Sequence, residues 1–513
     1  MKLLLLVSLL LTSLAYPRNL NRITIEDSFD QENNENITEE ELKQDIDSSE
    51  LNKDGYHEFL DKKNDTKLEL KAALSTGFFQ AQNSNFGAGT QDAKNPNIVS
   101  HNVFWSEYIV SPKARVTQRL SNKSIFYSKL SLLLAATRGK GEASAVATTA
   151  NRPTYLNYEE LAAGWKSGDL TKTENLIDFS FGQQCFSVGD SFLIAQGTWN
   201  AYNRGAFFYS PRSAFKNTAI LTVNTSPIRG QLFHLQTNTN QKLLKNTDQP
   251  KTSLYGTNIE YVSIDPEKPS TEYWTIGITL LNLYKAETYS YYSYAKNRNG
   301  LMVFNPRLGG NFFPQDRNIR FFAGYVYQKN DKQRLKTRAN AYYIEPGYTF
   351  KNIWGSPLLY YRYSHYSGDR NSDGKVKKSY DPLTSGLWAR DGYGTWETAE
   401  IQGYLYFSNT NQNVHNVHLK FTPSDQHIFG VQYFIINFDK PQQYSVQSKS
   451  GSREIDLYYT WNPNPKFSLT AMTGMLTPKS GVKEYTTLNS PNANPSRIGK
   501  NIYFFGLMLN YTL

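Results

Sequence analysis

The sequence predicts an all-β protein, a transmembrane antiparallel β-barrel, and three observations carry that expectation. First, residues 501–513 alternate strictly: Tyr503, Phe505, Leu507, Leu509, Tyr511 and Leu513 fall on one face, and Phe504, Gly506, Met508, Asn510 and Thr512 on the other. A period of two is a β-strand, and a chain-ending strand with one lipid-like face fits the closing strand of an outer-membrane barrel. Second, from Lys67 onward, strand-like runs of about ten residues alternate with turns rich in Asn, Gly, Pro, Ser and Lys. Third, 36 Tyr, 29 Phe and 8 Trp supply the amphipathic rings of interfacial girdles. No later segment approaches the roughly 18 apolar residues of a membrane helix, which excludes a helical bundle.

The N-terminus reads as an export signal over residues 1–15. Lys2 is the positive start, residues 3–14 the apolar run, and Ser13-Leu14-Ala15 a small-x-small cleavage site. Residues 16–66 read as an acidic, mostly disordered periplasmic segment. Within it, Thr38 and Glu41 form a capping box that opens one short helix before Leu42 and Ile46. Residues 18–66 hold 15 acidic and 6 basic groups, a balance of −9. Setting these and Lys2 aside leaves 48 of the 55 basic and 30 of the 45 acidic groups in residues 67–513, an excess of +18. Lipid-facing positions of a barrel exclude charge, so this excess belongs to loops or lumen. A basic lumen attracts anions. The acidic segment is then either a solvated leader or a plug that enters the lumen from the periplasm.

Residues 67–513 show no domain break. Clear examples of strand runs are 114–120, 126–134, 175–181, 219–224, 273–281, 320–327, 358–364, 414–422, 428–438, 454–461 and 467–476, and no stretch of a dozen residues shows a helical period. The polar stretches 139–153, 236–251, 369–380 and 477–500 read as extracellular loops. At roughly 25 residues per strand and loop, this length allows 16–18 strands, which leaves an aqueous channel.

Alternation names lumen residues. In 414–422, Val417, Leu419 and Phe421 face lipid, so Asn416, His418, Lys420 and Thr422 face inward. In 454–461, Ile455, Leu457, Tyr459 and Trp461 face lipid, so Glu454, Asp456, Tyr458 and Thr460 face inward. After Pro112, Lys113, Arg115, Thr117 and Arg119 share one face. Arg362 points inward because an arginine facing the bilayer midplane costs about 2–4 kcal/mol. The same argument places Glu345, Arg307 and Arg229.

Other motifs carry less. Asp369, Asn371, Asp373 and Gly374 form the first half of a calcium loop, with oxygen ligands at positions 1, 3 and 5 and a turning glycine. Position 12 is Tyr380 where a bidentate Glu is needed, and Asp381 comes one residue late. The choice lies between Ca2+ within 369–381 and an Asx-rich turn. No other cofactor is expected. His415 and His418 point to opposite faces of a strand, so they cannot share a metal. Cys185 reads as a packed strand residue, and no disulfide framework exists with one cysteine. No G-x-S-x-G elbow appears, so no catalytic residues are assigned and the chain is not read as an enzyme. Export signal and strand pattern also argue against a nucleic-acid partner.

Several segments resemble the alginate-export family of outer-membrane porins. Ser367-Gly368-Asp369, followed by Tyr380-Asp381-Pro382-Leu383, looks like that family's "SGD … FDPL" signature. Gly392-Tyr-Gly394-Thr-Trp396-Glu397 through Glu400 and Gly403 is similar to the strand after it, and Glu454-Ile-Asp456-Leu to a late "ElDl" strand. Phe181-Gly-Gln-Gln184, Gly189-Asp190 and Trp199 are similar to "GRQ … GD … W", and Trp105 through Pro112 to Arg115 resembles an early strand. The matches follow the family's order from about residue 105 to the end. Gln183 replaces the family's arginine, and Leu513 its final aromatic.

The resemblance implies an 18-stranded monomer in the outer-membrane lipid, with an anion-selective lumen passing an acidic, alginate-like polysaccharide outward. Periplasmic export partners would accompany it. Arg115 is the residue carried over by a matched segment; Arg119, Arg362, Arg307 and Lys420 join it by alternation. Glu454, Asp456 and Glu345 would orient the arginines and prevent trapping. Two rivals stay open: a general or small-anion porin, and a non-transporting surface barrel such as an adhesin or scaffold.

Overall fold

The computed structural model describes residues 57–61, 65–92, 98–139, 148–149, 153–170, 173–195, 197, 205–225, 227–238, 251–265, 268–286, 297–313, 316–370, 375–384 and 399–513. The expected export signal and most of the acidic segment lie outside them. Eighteen long antiparallel strands close on themselves. In chain order they are β1 Thr66–Gln82, β2 Asn102–Arg119, β3 Ile125–Gly139, β4 Thr154–Lys166, β5 Ile177–Gln184 and β6 Phe215–Asn224. There follow β7 Ile228–Gln236, β8 Thr252–Asp265, β9 Lys268–Ala286, β10 Leu301–Gly310, β11 Ile319–Asn330 and β12 Lys336–Thr349. The last six are β13 Leu358–Tyr366, β14 Gln412–Ser424, β15 His427–Phe438, β16 Ser450–Asn464, β17 Phe467–Pro478 and β18 Ile502–Thr512. Each pairs with its neighbour in sequence, and β18 closes the ring against β1, Ala73 opposite Thr512 through Gln82 opposite Tyr503. A closed ring leaves no strand edge to the lipid, which the bilayer requires.

Short turns at one rim (225–227, 266–267, 425–426, 465–466) contrast with long loops at the other (185–214, 367–411). Short turns mark the periplasmic rim. β1 begins there and β18 ends there.

The alternation read from the last strand holds: Tyr503 and Phe505 are exposed outward while Phe504, Met508, Asn510 and Thr512 are buried inward. Two aromatic girdles bound the outward face. At the periplasmic side Trp274 stacks between Tyr261 and Phe312, each 5.4 Å away, and Trp354 lies 6.1 Å from Phe429. At the extracellular side Tyr284 sits 5.9 Å from both Tyr255 and His234, and Tyr342 5.0 Å from His365. On β9 the outward run from Trp274 to Tyr284 passes Ile276, Ile278 and Leu280. Ten residues at 3.3 Å with the usual tilt span about 25 Å, the height of a barrel's apolar band. Leu280→Arg, mid-band and 52% exposed, should therefore cost about 2–4 kcal/mol, and Tyr284→Arg about 0–1. Urea titrations of folding into phosphatidylcholine vesicles check this; equal costs would refute the placement.

Six strands were not legible as runs: β1, β4, β7, β8, β10 and β12. In β12 the outward Pro346 and the inward Gly347, and in β10 the outward Pro306 and Gly310 and the inward Gly309, are turn-type residues that interrupt the pattern. In β4 a bulge opposite Ser131 and Leu132 breaks it, leaving both Glu159 and Glu160 buried.

Other departures are local. The polar stretch 477–500 contains a helix, α1 Ser480–Asn489, which buries Val482 and Thr486. The disordered reading of 16–66 ends too late: His57–Asp61 pairs antiparallel with Thr66–Leu70. Cys185 lies just past the end of β5, with Sγ 3.9 Å from Ser213 Oγ.

Inside the barrel the extracellular half is an apolar core. One cluster gathers Phe79, Trp105, Phe208, Tyr209 and Phe504; another gathers Phe192, Ile194, Tyr343, Tyr366, Tyr380 and Phe434. Phe192, Ile194, Phe208, Tyr209 and Tyr380 belong to the loop residues 186–195, 205–214 and 375–384, which therefore fold inward.

Candidate functional site: the lumen wall

The inward face of the periplasmic half is basic. On β1–β3 it carries Lys67, Lys71, Lys113, Arg115, Arg119 and Lys129, with Glu69 as the acid among them. Register sets them side by side, Lys71 opposite Lys113, Glu69 opposite Arg115, and Arg115 opposite Lys129. Glu69 accepts hydrogen bonds from Arg115 Nε and, at 2.8 Å, from Arg115 Nη2, and lies 3.0 Å from Lys67 Nζ.

The opposite wall repeats one arrangement twice. Glu345 is shared by Arg320 (3.3 Å) and Arg362 (3.2 Å), and Tyr360 lies under both guanidinium groups at 4.9 and 5.9 Å. Glu260 is shared by Arg229 (2.6 Å) and Arg307, whose guanidinium also donates to Thr279 Oγ1 (2.7 Å) and Asn258 Oδ1 (2.6 Å). One carboxylate between two arginines fixes both side chains and leaves one net positive charge. Gly189, at φ +58°, packs on the Arg307 side chain, where any Cβ would overlap it. Lys420 and Arg119 are half-buried on inward positions near the periplasmic rim.

The structure thus places Arg115, Arg119, Arg307, Arg362, Lys420 and Glu345 on the inward face, and Glu345 does orient arginines. Glu454 and Asp456 also point inward, but their expected role needs correction: they hold a loop instead of arginines. Glu454 accepts the N–H groups of Ile401 and, at 3.0 Å, of Gln402; Asp456 accepts that of Glu400 at 3.4 Å. Residues 400–406, expected as a strand by resemblance, form a wide helical turn inside the barrel. Three of its leading amides thus point at the wall carboxylates.

The same device recurs at two residues that the alternation argument left unnamed. Glu107 accepts the N–H groups of Phe208 and Tyr209, both at 3.1 Å. Glu159 accepts those of Ser213 (2.7 Å) and Ala214 (2.8 Å). Glu107 shares a face with Trp105 and Ile109, so extending the alternation ahead of Pro112 would have found it. Glu159 lies at the bulge, where alternation fails.

A buried ion pair anchors the second loop. Arg298 donates to both carboxylate oxygens of Asp381, at 2.8 and 2.7 Å, and Gln328 brackets the Asp381 peptide, accepting its N–H at 2.9 Å and donating to its carbonyl at 2.6 Å. The segment matched as "DPL" is thus a loop anchor, as is Asp190 of "GD", which accepts the Tyr343 hydroxyl.

Asn371 and Asp373 lie outside the described residues. Asp369 accepts the Lys378 N–H at 3.1 Å, nine positions along the chain rather than the two of an Asx turn. Among the described residues no three His, Cys, Asp or Glu side chains converge to hold a metal. His418 meets the Tyr458 hydroxyl inside at 2.9 Å and His415 the Tyr361 hydroxyl outside at 2.7 Å, on opposite faces as expected.

No protein-family model matches the chain, and no curated protein sequence matches it. Among solved structures it is similar to OccK5 (OpdH) of Pseudomonas aeruginosa, with TM-score 0.50 and 10% identity over 86% of this chain and 98% of that one. It is also similar to the outer membrane protein OpdK of Pseudomonas aeruginosa, with TM-score 0.49 and 9% identity over 87% of this chain and 98% of that one. At such identity the OccK5 likeness is one of fold alone, a closed antiparallel β-barrel.

Proposed function

We propose that this outer-membrane barrel is an anion-favouring channel whose basic periplasmic wall concentrates carboxylated solutes. The observation that carries the reading is the periplasmic half of the wall of β1–β3, where Lys67, Lys71, Lys113, Arg115, Arg119 and Lys129 line the lumen around Glu69. Oriented guanidinium and ammonium groups offset the dehydration of an entering carboxylate, and repeated weak contacts let it move on. Arg–Glu–Arg groups on the far wall add positive charge without leaving a bare arginine cluster.

Two sizes of substrate are in play. The described loop residues pack side chains into the extracellular half, which favours small or single-file anions. The resemblance of segments from residue 105 onward to alginate-export porins favours an acidic polysaccharide, with periplasmic partners to deliver it. A purely non-transporting scaffold gains support from the loop packing but leaves the basic wall without a role.

Reversal potential in planar bilayers under a salt gradient, with and without oligouronate, separates them. Anion selectivity reduced by Arg115→Glu is expected. Dose-dependent block by long uronates would select the polysaccharide; selectivity without block would select small anions. Absence of conductance would overturn the channel reading.

A further inference from the structure

On its outward side, the extracellular end of β13–β16 carries polar groups where lipid contact favours apolar ones. Register sets one row across it: Arg453 on β16 lies opposite Ile435 on β15, Ile435 opposite His415 on β14, and His415 opposite Tyr363 on β13. Ser452 and Glu454 are buried inward and Ile455 is exposed outward, so Arg453 faces the membrane. Trp461, 6.1 Å from Phe467 beside the periplasmic turn, is eight residues further along the same strand. Eight residues at 3.3 Å with the usual tilt rise about 20 Å, which puts Arg453 just under the extracellular edge of the apolar band.

The polar neighbours of Arg453 satisfy one another. The Tyr361 hydroxyl meets His415 Nδ1 at 2.7 Å, and Asn413 Oδ1 accepts the Tyr363 hydroxyl at 3.1 Å and lies 2.7 Å from His365 Nδ1. Asp439 above them turns to the loops, accepting the Gly368 N–H at 2.9 Å and pairing with Lys440 at 2.7 Å. Among the described residues the Arg453 side chain makes one hydrogen bond, to the Ser452 carbonyl at 2.8 Å, and no ion pair. A guanidinium has five N–H donors in a planar fork that matches a phosphate. The bond to Ser452 draws it toward the extracellular end, where a snorkelling arginine meets headgroups instead of acyl chains.

We infer that Arg453, backed by His415, anchors a site on the outer wall of the barrel for the phosphate-bearing headgroup of an outer-leaflet lipid. Charge complementarity selects this occupant. At the edge of the apolar band the surroundings are lipid headgroups, and a guanidinium at a low-dielectric boundary gains most from a bidentate oxyanion. The inference concerns the outer surface and does not rest on the channel reading.

The test is native mass spectrometry of the full chain in dodecyl maltoside micelles, titrated with diphosphoryl lipid A and separately with its dephosphorylated form. One saturable diphosphoryl lipid per barrel is expected, with the dephosphorylated form bound about tenfold more weakly. Arg453→Gln should abolish that preference, so that both forms bind alike. Arg338 is the control: it faces outward at the same rim, between the buried Thr337 and Ala339, but is paired with Asp331. Arg338→Gln should therefore leave the preference in place. Urea titration should show both variants as stable as the unaltered chain. Equal affinity for the two lipids, or a preference that survives Arg453→Gln, would overturn the proposal. So would an equal loss in Arg338→Gln, the mark of diffuse surface charge.

Discussion

Glu454→Ala should raise single-channel conductance and its low-frequency fluctuation more than any change among the lumen cations. The Glu454 carboxylate accepts two consecutive loop amides, Ile401 and Gln402, within a dry interior. Hydrogen bonds contribute about 0.5–1.5 kcal/mol each, and orphaning a buried donor costs about 1–3 kcal/mol. A net loss of about 3 kcal/mol shifts the release equilibrium of the turn at 400–406 roughly 100-fold. Glu454→Gln keeps one acceptor oxygen and should have an intermediate effect. Glu107→Ala should act in the same direction through the loop at 205–214, where Phe208, 4.4 Å from Phe79, adds an apolar hold. Recordings in planar bilayers decide. Unchanged conductance in both alanine variants would mean that these loops do not set the constriction.

Asp381→Ala should destabilise the barrel by about 3–5 kcal/mol, the usual cost of stranding a buried charge. Its partner Arg298 is 1% exposed and Asp381 2%, so water cannot rescue either. Arg298→Met combined with Asp381→Leu should recover most of that loss, because a packed apolar pair replaces a desolvated ionic one at little net cost. Urea titration of folding, with limited proteolysis of residues 375–384, measures both. A double variant as unstable as the single one would show that the loop, not the stranded charge, bears the energy.

Reading the lumen from alternation succeeded wherever the lipid face was apolar without interruption. β16 and β18 are such strands, and their inward residues follow directly. It failed at the β4 bulge and on strands interrupted by proline and glycine. The matched family segments mark real positions, but the structure gives several of them a holding role. Asp190, Asp381, Glu454 and Asp456 all bind loops or wall, whereas acids beside basic strands read naturally as partners for arginine. Nothing local distinguishes these fates. Glu69 and Arg115 are cross-strand neighbours, 46 positions apart, and their pairing follows from strand register.

The sequence by itself determined the membrane barrel and the inward or outward sense of most named residues. These depend on period-two contrast between lipid and water, which is written along each strand. Tertiary structure alone decided which carboxylates guide arginines and which hold loops. Those contacts join residues 53 apart for Glu454 and Ile401, 83 for Arg298 and Asp381, and 102 for Glu107 and Tyr209. Such pairs are chosen by where an irregular loop re-enters a closed barrel, and a loop without a period leaves no trace of that path in the order of its residues.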